Sequence, residues 1–369
     1  IAYFVSGVYH NGMSFKETVY LTEAMAKTGR MLKWKSNKIA DKHSIGGIPG
    51  NRTTPIVVSI CAAAGITIPK TSSRAITTAA ATADVMEAIT NISLSAEELQ
   101  KVVKKTGACL AWGGSLGLAP ADDKLIRVEK MLGVDPESQL IASILSKKLA
   151  AGSKIILLDI PYGKGAKVSL VQAKKLKQQF MKMARYFRLN TEVVLTKGDQ
   201  PIGNAIGPVL EMIDLYKILK REPSRPIDLE EKSIFLAAKL LEMMGKAGKG
   251  KGKKRALEIL DSGGALKKFE EIIKAQGKKK YALKLAKHKQ NILAKSNSKV
   301  SAINNKFINS LGRKLGCPTS KGAGIYIHKH IGEKAKKGDL LLTLYSESKK
   351  ELNDAIKFCN ETNPITLRF

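Results

Sequence analysis

Apolar positions along the chain keep two rhythms, one helical and one extended. Ile1, Phe4, Val5 and Val8 recur at helical spacing, and residues 1–40 read as helical. Within them Ser14 and Glu17 form a capping box, and Gly29 fits the end of the helix they start. The unbroken apolar run 55–64 reads as a buried helix closed by Gly65, and a short strand ends at Pro69. Helices are expected at about 82–91, at 95–106 and at 136–151. Residues 154–160 are a continuous apolar run of strand length, the mark of a strand covered on both faces, and 191–196 read as the next strand, with a helix from about 169 between them. Strands alternating with helices over 60–215 predict the α/β class. A helix at 228–245 leads to the low-complexity stretch 245–254, which reads as a mobile basic loop. A helix at 254–262 and Lys-rich helices continue to about 290, with His288 on a solvated helix face. From about 297 the rhythm turns to short strands, including the alternating run 322–330 and the strand 340–345, before a last helix at 348–359.

Composition narrows the classes. A chain of 369 residues that is 44% hydrophobic can build two or three domains and a sizeable core. No apolar run reaches the roughly 18 residues of a membrane span, and no signal peptide is visible. The chain starts at Ile1 within a helical pattern, so a fragment lacking its natural N-terminus is expected. The four cysteines Cys61, Cys109, Cys317 and Cys359 lie far apart without metal spacing, as reduced structural thiols of a cytoplasmic protein would. A net charge of +31 attracts nucleic acid, anionic membranes or phosphorylated substrates. Aromatics are 5% and do not alternate with the basic residues as base-stacking platforms would, so solvated lysine faces are favoured.

Candidate chemistry concentrates at 41–54. Gly46, Gly47, Pro49 and Gly50 stand between Lys42 and Arg52, with hydroxyls at Ser44, Thr53 and Thr54. Glycines let backbone N–H groups approach an anion, and such a turn feeding a helix is a ready anion site. A surface turn before a helix competes on even terms. The spacing fits neither the P-loop nor the dinucleotide fingerprint. Residues 70–84 gather hydroxyls around Arg74, whose fork suits a phosphate; ordinary turns and caps are the competing reading. Asp122 and Asp123 read as acid–base groups, a metal site or, with no third carboxylate at ligand spacing, preferably an N-cap. Asp135 before Pro136 reads first as an N-cap; Ser143 and Lys147, one turn apart, can face one pocket, and Lys147–Lys148 as plain surface charge is the competing reading. Residues 154–167 run strand, Gly-x-Gly turn, helix, which is half a phosphate-loop signature. The stretch 245–254 mimics a P-loop but follows a helix and has Gly252 where Ser or Thr is required. His328 and His330 at i, i+2 rank as plain strand residues above a metal pair, because no third ligand lies near.

Lys42, His43, Ser44, Gly46 and Gly47 reproduce the Lys-His-Ser-x-Gly-Gly of the thymidine phosphorylase family. Pro49-Gly50-Asn51 and the run from Ser72 to Thr77 are similar to the branch of that family acting on nucleoside 5′-monophosphates in archaea and related microbes. Pyrimidine-specific members carry His where Thr78 stands and Tyr where Ile126 stands. The run 78–81 also departs from the nucleotide branch, which reads Ser-Pro-Ala-Gly there. Six or so such segments follow in family order over almost the whole chain.

The resemblance implies a small helical domain (1–40), a large α/β domain with a central mixed sheet (41–225) and a helical segment of it (226–295). A C-terminal α/β module (296–369) completes it. It implies phosphorolysis of AMP, with CMP and UMP to be tested, by inorganic phosphate as co-substrate without metal or other cofactor. Substrate contacts then fall to Lys42, Ser44, Gly47, Thr54, Ser72, Ser73, Arg74, Ala75, Ile76, Thr77, Thr78, Thr82, Ser143, Lys147 and Lys167. Asp135 becomes the proton donor, and His43 is the second candidate because its ordinary pKa suits proton transfer. A cytoplasmic homodimer or higher homo-oligomer is implied, with no membrane and at most nonspecific nucleic-acid binding. The rivals are a pyrimidine-nucleoside phosphorylase, an anthranilate phosphoribosyltransferase-like enzyme using Mg²⁺ and a pyrophosphate leaving group, and a basic nucleic-acid-binding protein with a steep salt slope.

Overall fold

A computed structural model describes residues 1–75, 78–279 and 283–368. Two helices open the chain, α1 (Ala2–Asn11) and α2 (Phe15–Lys27). The capping box forms as expected: Ser14 Oγ accepts from Glu17 N at 3.3 Å, and Glu17 Oε2 accepts from Ser14 N at 2.7 Å. The helix ends on Thr28 rather than Gly29. Gly29 is instead a point of close approach, since a Cβ there would lie 2.2 Å from the Gly117 carbonyl oxygen.

The α/β part runs β1 (Ala40–Ser44), α3 (Thr53–Ala63), β2 (Ile68–Ser72), α4 (Thr82–Met86), α5 (Ala96–Thr106) and β3 (Ala108–Trp112). It continues with α6 (Pro120–Leu132), α7 (Glu137–Ala150), β4 (Ile155–Tyr162), α8 (Leu170–Tyr186) and β5 (Asn190–Lys197). β1, β4 and β5 pair in parallel, as do β2 and β3. A parallel bridge from Ile39 to Thr67, with Ala40 N donating to Thr67 O at 3.0 Å, joins the two groups in the order β5-β4-β1-β2-β3. Every described pairing in this sheet is parallel, where a mixed sheet is expected from the resemblance. The apolar run of β4 explains the burial on both sides. Ile156, Leu158 and Ile160 face a core shared with α2, α7 and α8, and Leu157 faces the opposite core.

That opposite core is filled by α3 and by helices further along the chain. After the short β6 (Ala205–Ile206) come α9 (Pro208–Leu219), α10 (Ile227–Met243), α11 (Gly252–Asp261) and α12 (Gly264–Gln276). The helical layer beside α1 and α2 is assembled from two stretches of sequence. Val5 and Met25 pack with Leu125 of α6 and Ala142 of α7, a partnership the local pattern at 1–40 does not show.

The C-terminal part contains β7 (His288–Leu293), β8 (Ser298–Ile303), α13 (Asn305–Lys314) and β9 (Gly324–Ile327). β10 (Lys334–Ala335), β11 (Leu340–Ser346), α14 (Lys349–Thr362) and β12 (Ile365–Arg368) follow. An antiparallel sheet of order β6-β9-β11-β7 ties it to the α/β part through β6, and β10-β8-β12 form a second sheet. His288 opens β7, not a helix face. β7 pairs on one side only, so its Lys289, Gln290 and Asn291 stay exposed, and their polarity imitates a solvated helix. No helix among the described residues is long and apolar enough to cross a membrane. The four cysteines are free and buried.

Candidate active site

β1 lies centrally, and the chain departs from its end toward β2 through α3, while from the end of β4 it departs the other way, toward β5, through α8. Such a switch point opens a crevice at the carboxyl ends of the strands. The turn 45–50 leaves β1 there, and the turn 163–167 leaves β4. The two touch: a Cβ on Gly47, whose φ is +92°, would lie 2.8 Å from Lys167 Cγ. Glycine at position 47 is therefore required by both backbone angle and space.

β1 carries two buried charges on opposite faces. Asp41 Oδ2 accepts from Lys148 Nζ at 2.6 Å, and Asp41 Oδ1 lies 3.3 Å from Lys70 Nζ. Burial works to raise the Asp41 pKa, but the two lysines outweigh it and hold the carboxyl below its ordinary value. Lys42, fully buried, donates to Thr53 Oγ1 at 2.7 Å and to Thr54 Oγ1 at 3.4 Å in the first turn of α3. Burial pushes its pKa down to about 7, against Asp159 and with help from Lys232, Lys70 and Arg52. Beside it the Ser44 hydroxyl and the Asn51 carbonyl oxygen are buried without a hydrogen-bond partner among the described residues. Arg52 is a brace: it pairs with Glu211 at 2.6 Å and donates to Thr82 Oγ1 at 3.1 Å and Ala80 O at 2.9 Å.

A second group faces these turns from α6 and α7. Lys147 pairs with Asp122 and donates to Ser143 Oγ at 3.2 Å. Lys167 pairs with Asp135. Asp135 is thus not the cap of α7; the N-cap is Pro136, without a side-chain hydrogen bond, and the carboxylate reaches across to the β4 turn instead. Asp122 and Asp123 are not caps either, since they lie inside the first turn of α6 behind Ala119. Glu129 of α6 is pushed up to about 7 by burial and then by Asp135 and Asp122. His43, on the face of β1 that bears Asp41, is driven well below its ordinary pKa by burial and by Lys148, Lys70, Lys147 and Lys42. At neutral pH it is a neutral imidazole, so the premise that its ordinary pKa suits proton donation fails.

The hydroxyl-rich segment behaves differently from the expectation. Ser72 ends β2 and Ser73 is exposed. The Arg74 fork is taken up by Glu87, at 2.8 and 2.6 Å, with Asp84 at 3.4 Å and the Trp112 ring beneath it at 4.8 Å. Ala75 N donates to Asp84 Oδ2 at 2.8 Å, and Thr78 Oγ1 to Ala80 O at 2.8 Å. Arg74 therefore fastens the segment to α4 rather than presenting a free fork to phosphate. Thr82 joins the cradle side through Arg52. Ile76 and Thr77 lie outside the described residues. The structure thus gathers Lys42, Ser44, Gly47, Thr54 and Thr82 on one side and Asp135, Ser143, Lys147 and Lys167 on the other. Lys70, Asp159 and Glu129 belong to the same electrostatic cluster and are missing from the sequence reading, and Lys148, read as surface charge, is buried in that cluster against Asp41. A lone charge inside an apolar strand, as at Asp159, is the signal that marks one of them. His328 and His330 are engaged elsewhere, with Thr343 Oγ1 and Asn204 Oδ1, each at 2.9 Å.

Residues 36–266 match the glycosyl transferase family, a/b domain, and residues 299–366 match the pyrimidine nucleoside phosphorylase C-terminal domain. The chain belongs to this glycosyl transferase family. Among its relatives, the AMP phosphorylase of Methanococcus vannielii is 45% identical over 371 residues, covering 100% of this chain and 74% of that protein. The AMP phosphorylase of Pyrococcus furiosus is 48% identical over 372 residues with the same coverage, 100% and 74%. An anthranilate phosphoribosyltransferase from Thermus thermophilus shares the fold, with a TM-score of 0.57 at 17% identity over 74% of this chain and 94% of that one.

Proposed function

We propose that the chain catalyses phosphorolysis of nucleoside 5′-monophosphates, converting AMP and inorganic phosphate to adenine and ribose 1,5-bisphosphate. The observation that carries this is Lys42: a buried ammonium hydrogen-bonded to two threonine hydroxyls, beside an unpartnered buried Ser44 hydroxyl, at the switch point of the sheet. Buried charge and buried donors without partners are unfavourable unless a ligand of opposite charge completes them. Phosphate fits that requirement, with the 45–50 turn and the start of α3 adding N–H donors.

In this reading a phosphate oxygen forms the new bond to C1′ as the glycosidic bond breaks, and the electron pair leaves with adenine. Asp135, an anion while paired with Lys167, passes to the leaving base a proton drawn from Glu129. Glu129 stores a proton beside it near neutral pH. Lys147 and Ser143 face the substrate from α7. Because Asp122 and Asp135 are each paired with a lysine, the anions are met by cations of the chain, and turnover is expected to be indifferent to EDTA. Four buried free thiols support a cytoplasmic setting. Exposed Tyr3, Phe4 and Tyr9 on α1 and Tyr20 on α2 would supply apolar surface to a homodimer.

The test is base release from AMP, CMP, UMP, adenosine and thymidine, each with and without phosphate. Adenine from AMP in the presence of phosphate alone supports the reading. Thymine from thymidine would move the chain to the pyrimidine branch, against which Ile126 and Thr78 speak.

A further inference from the structure

We infer that Asn305 and Asn309, on one face of α13, are positioning residues that hold the site's turns from the C-terminal side. The inference rests on reading the 44–50 turn as the phosphate cradle. Both side chains are buried, at 0% and 4% exposure, and both direct their amides at other segments' backbones rather than at their own helix. Asn309 Oδ1 accepts from Ala79 N at 3.1 Å, and its Nδ2 donates to Gly47 O at 3.4 Å. One amide thus links the first glycine turn to the 72–82 segment. Asn305 Nδ2 donates to Gly198 O at 2.9 Å and to Gly165 O at 3.4 Å, linking the β4 turn to the end of β5. A spacing of four residues places the two amides one above the other, so one rigid helix reaches all four segments.

The chemistry suits the task. A carboxamide offers a donor and an acceptor on one planar group, and each amide's orientation is fixed because Nδ2 faces carbonyls and Oδ1 of Asn309 faces an N–H. The peptide unit is planar, so pinning the Gly47 carbonyl also pins the direction of the following N–H at Ile48, a donor in the cradle turn. Asn305 Oδ1 is buried without a partner among the described residues, so that amide is held through its Nδ2 alone, whereas Asn309 is bonded at both ends, and losing one partner exposes the full desolvation cost of the other.

The test uses the full chain, with amide hydrogen exchange by segment and titration with inorganic phosphate. Asn309→Asp keeps the bond to Ala79 N and loses the donor to Gly47. Asn309→Leu removes both bonds at similar volume and guards against failure of the first variant to fold. Either is expected to speed exchange at 44–50, leave 163–167 unchanged and weaken phosphate about tenfold. Asn305→Leu is expected to speed exchange at 163–167 and 197–200 and spare 44–50. Unchanged exchange at these turns, or acceleration spread evenly over the C-terminal part, would overturn the inference. Failure of the wild-type chain to bind phosphate would instead refute the cradle reading, while the exchange pattern would still decide the role of the asparagines.

Discussion

The Lys42 ammonium is buried in a protein interior with its hydrogen bonds on Thr53 and Thr54, and its pKa falls to about 7. The unfolded chain keeps this lysine protonated to about pH 10.4, so the unfolded state binds more protons between those values. Its burden on stability is therefore greatest below pH 7 and fades as pH rises toward 10. Lys42→Met is expected to stabilise the fold by about 1–4 kcal/mol at pH 7 and by less at pH 9.5, measured by urea unfolding, while abolishing phosphate binding. A loss of stability at pH 7 would mean the ammonium is structural. Asp135→Asn is expected to remove most turnover and leave substrate binding in place; turnover within a few-fold of wild type would leave Asp135 as a partner of Lys167 alone. Glu129, raised to about 7, is protonated below that value, so turnover should fall as pH rises through it. Glu129→Gln should remove that limb from the pH–rate profile. Lys42, Ser44 and Gly47 were legible because they lie in one short motif. The orientation of Arg74 was not, because it depends on Glu87 across a turn and on Trp112 from another strand. Arg74→Gln should lower stability with little change in the phosphate KM.

At the scale of elements, turns leaving neighbouring strands set the site, and helices behind them hold it. Gly47→Ala is expected to force both a strained φ and a displacement of Lys167, reducing turnover far more than stability; turnover equal to wild type would show that the two turns need not touch. β4 was readable as a strand because a doubly covered parallel strand is mostly apolar, whereas the central β1, Ala-Asp-Lys-His-Ser, was hidden by its buried charges. Helix starts were readable where the cap is local, as at Ser95, whose Oγ accepts from Glu98 N at 3.2 Å. Two features were hidden for opposite reasons. β7 is an exposed edge strand whose polarity is set by what it lacks on one side. The pairing of α6 and α7 with α1 and α2 depends on contacts distant in sequence, which no local pattern records.

For the molecule as a whole, a net charge of +31 surrounds a site proposed to gather two anionic reactants. Capture from solution should then be steered by the field, and kcat/KM for AMP should fall as salt rises while kcat changes little. The same charge, read from composition alone, left nucleic-acid binding open as a rival, because composition does not say where lysines lie. In the fold several are internal, Lys42, Lys70 and Lys148 among them.

In the proposed reaction the cradle at the end of β1 delivers phosphate to C1′ of a nucleotide. Its most direct test follows ³²P-labelled inorganic phosphate during turnover of AMP. Label should enter ribose bisphosphate in step with adenine release, and Lys42→Met should show neither. Adenine released at the same rate without phosphate, with unlabelled ribose 5-phosphate as the sugar product, would contradict it.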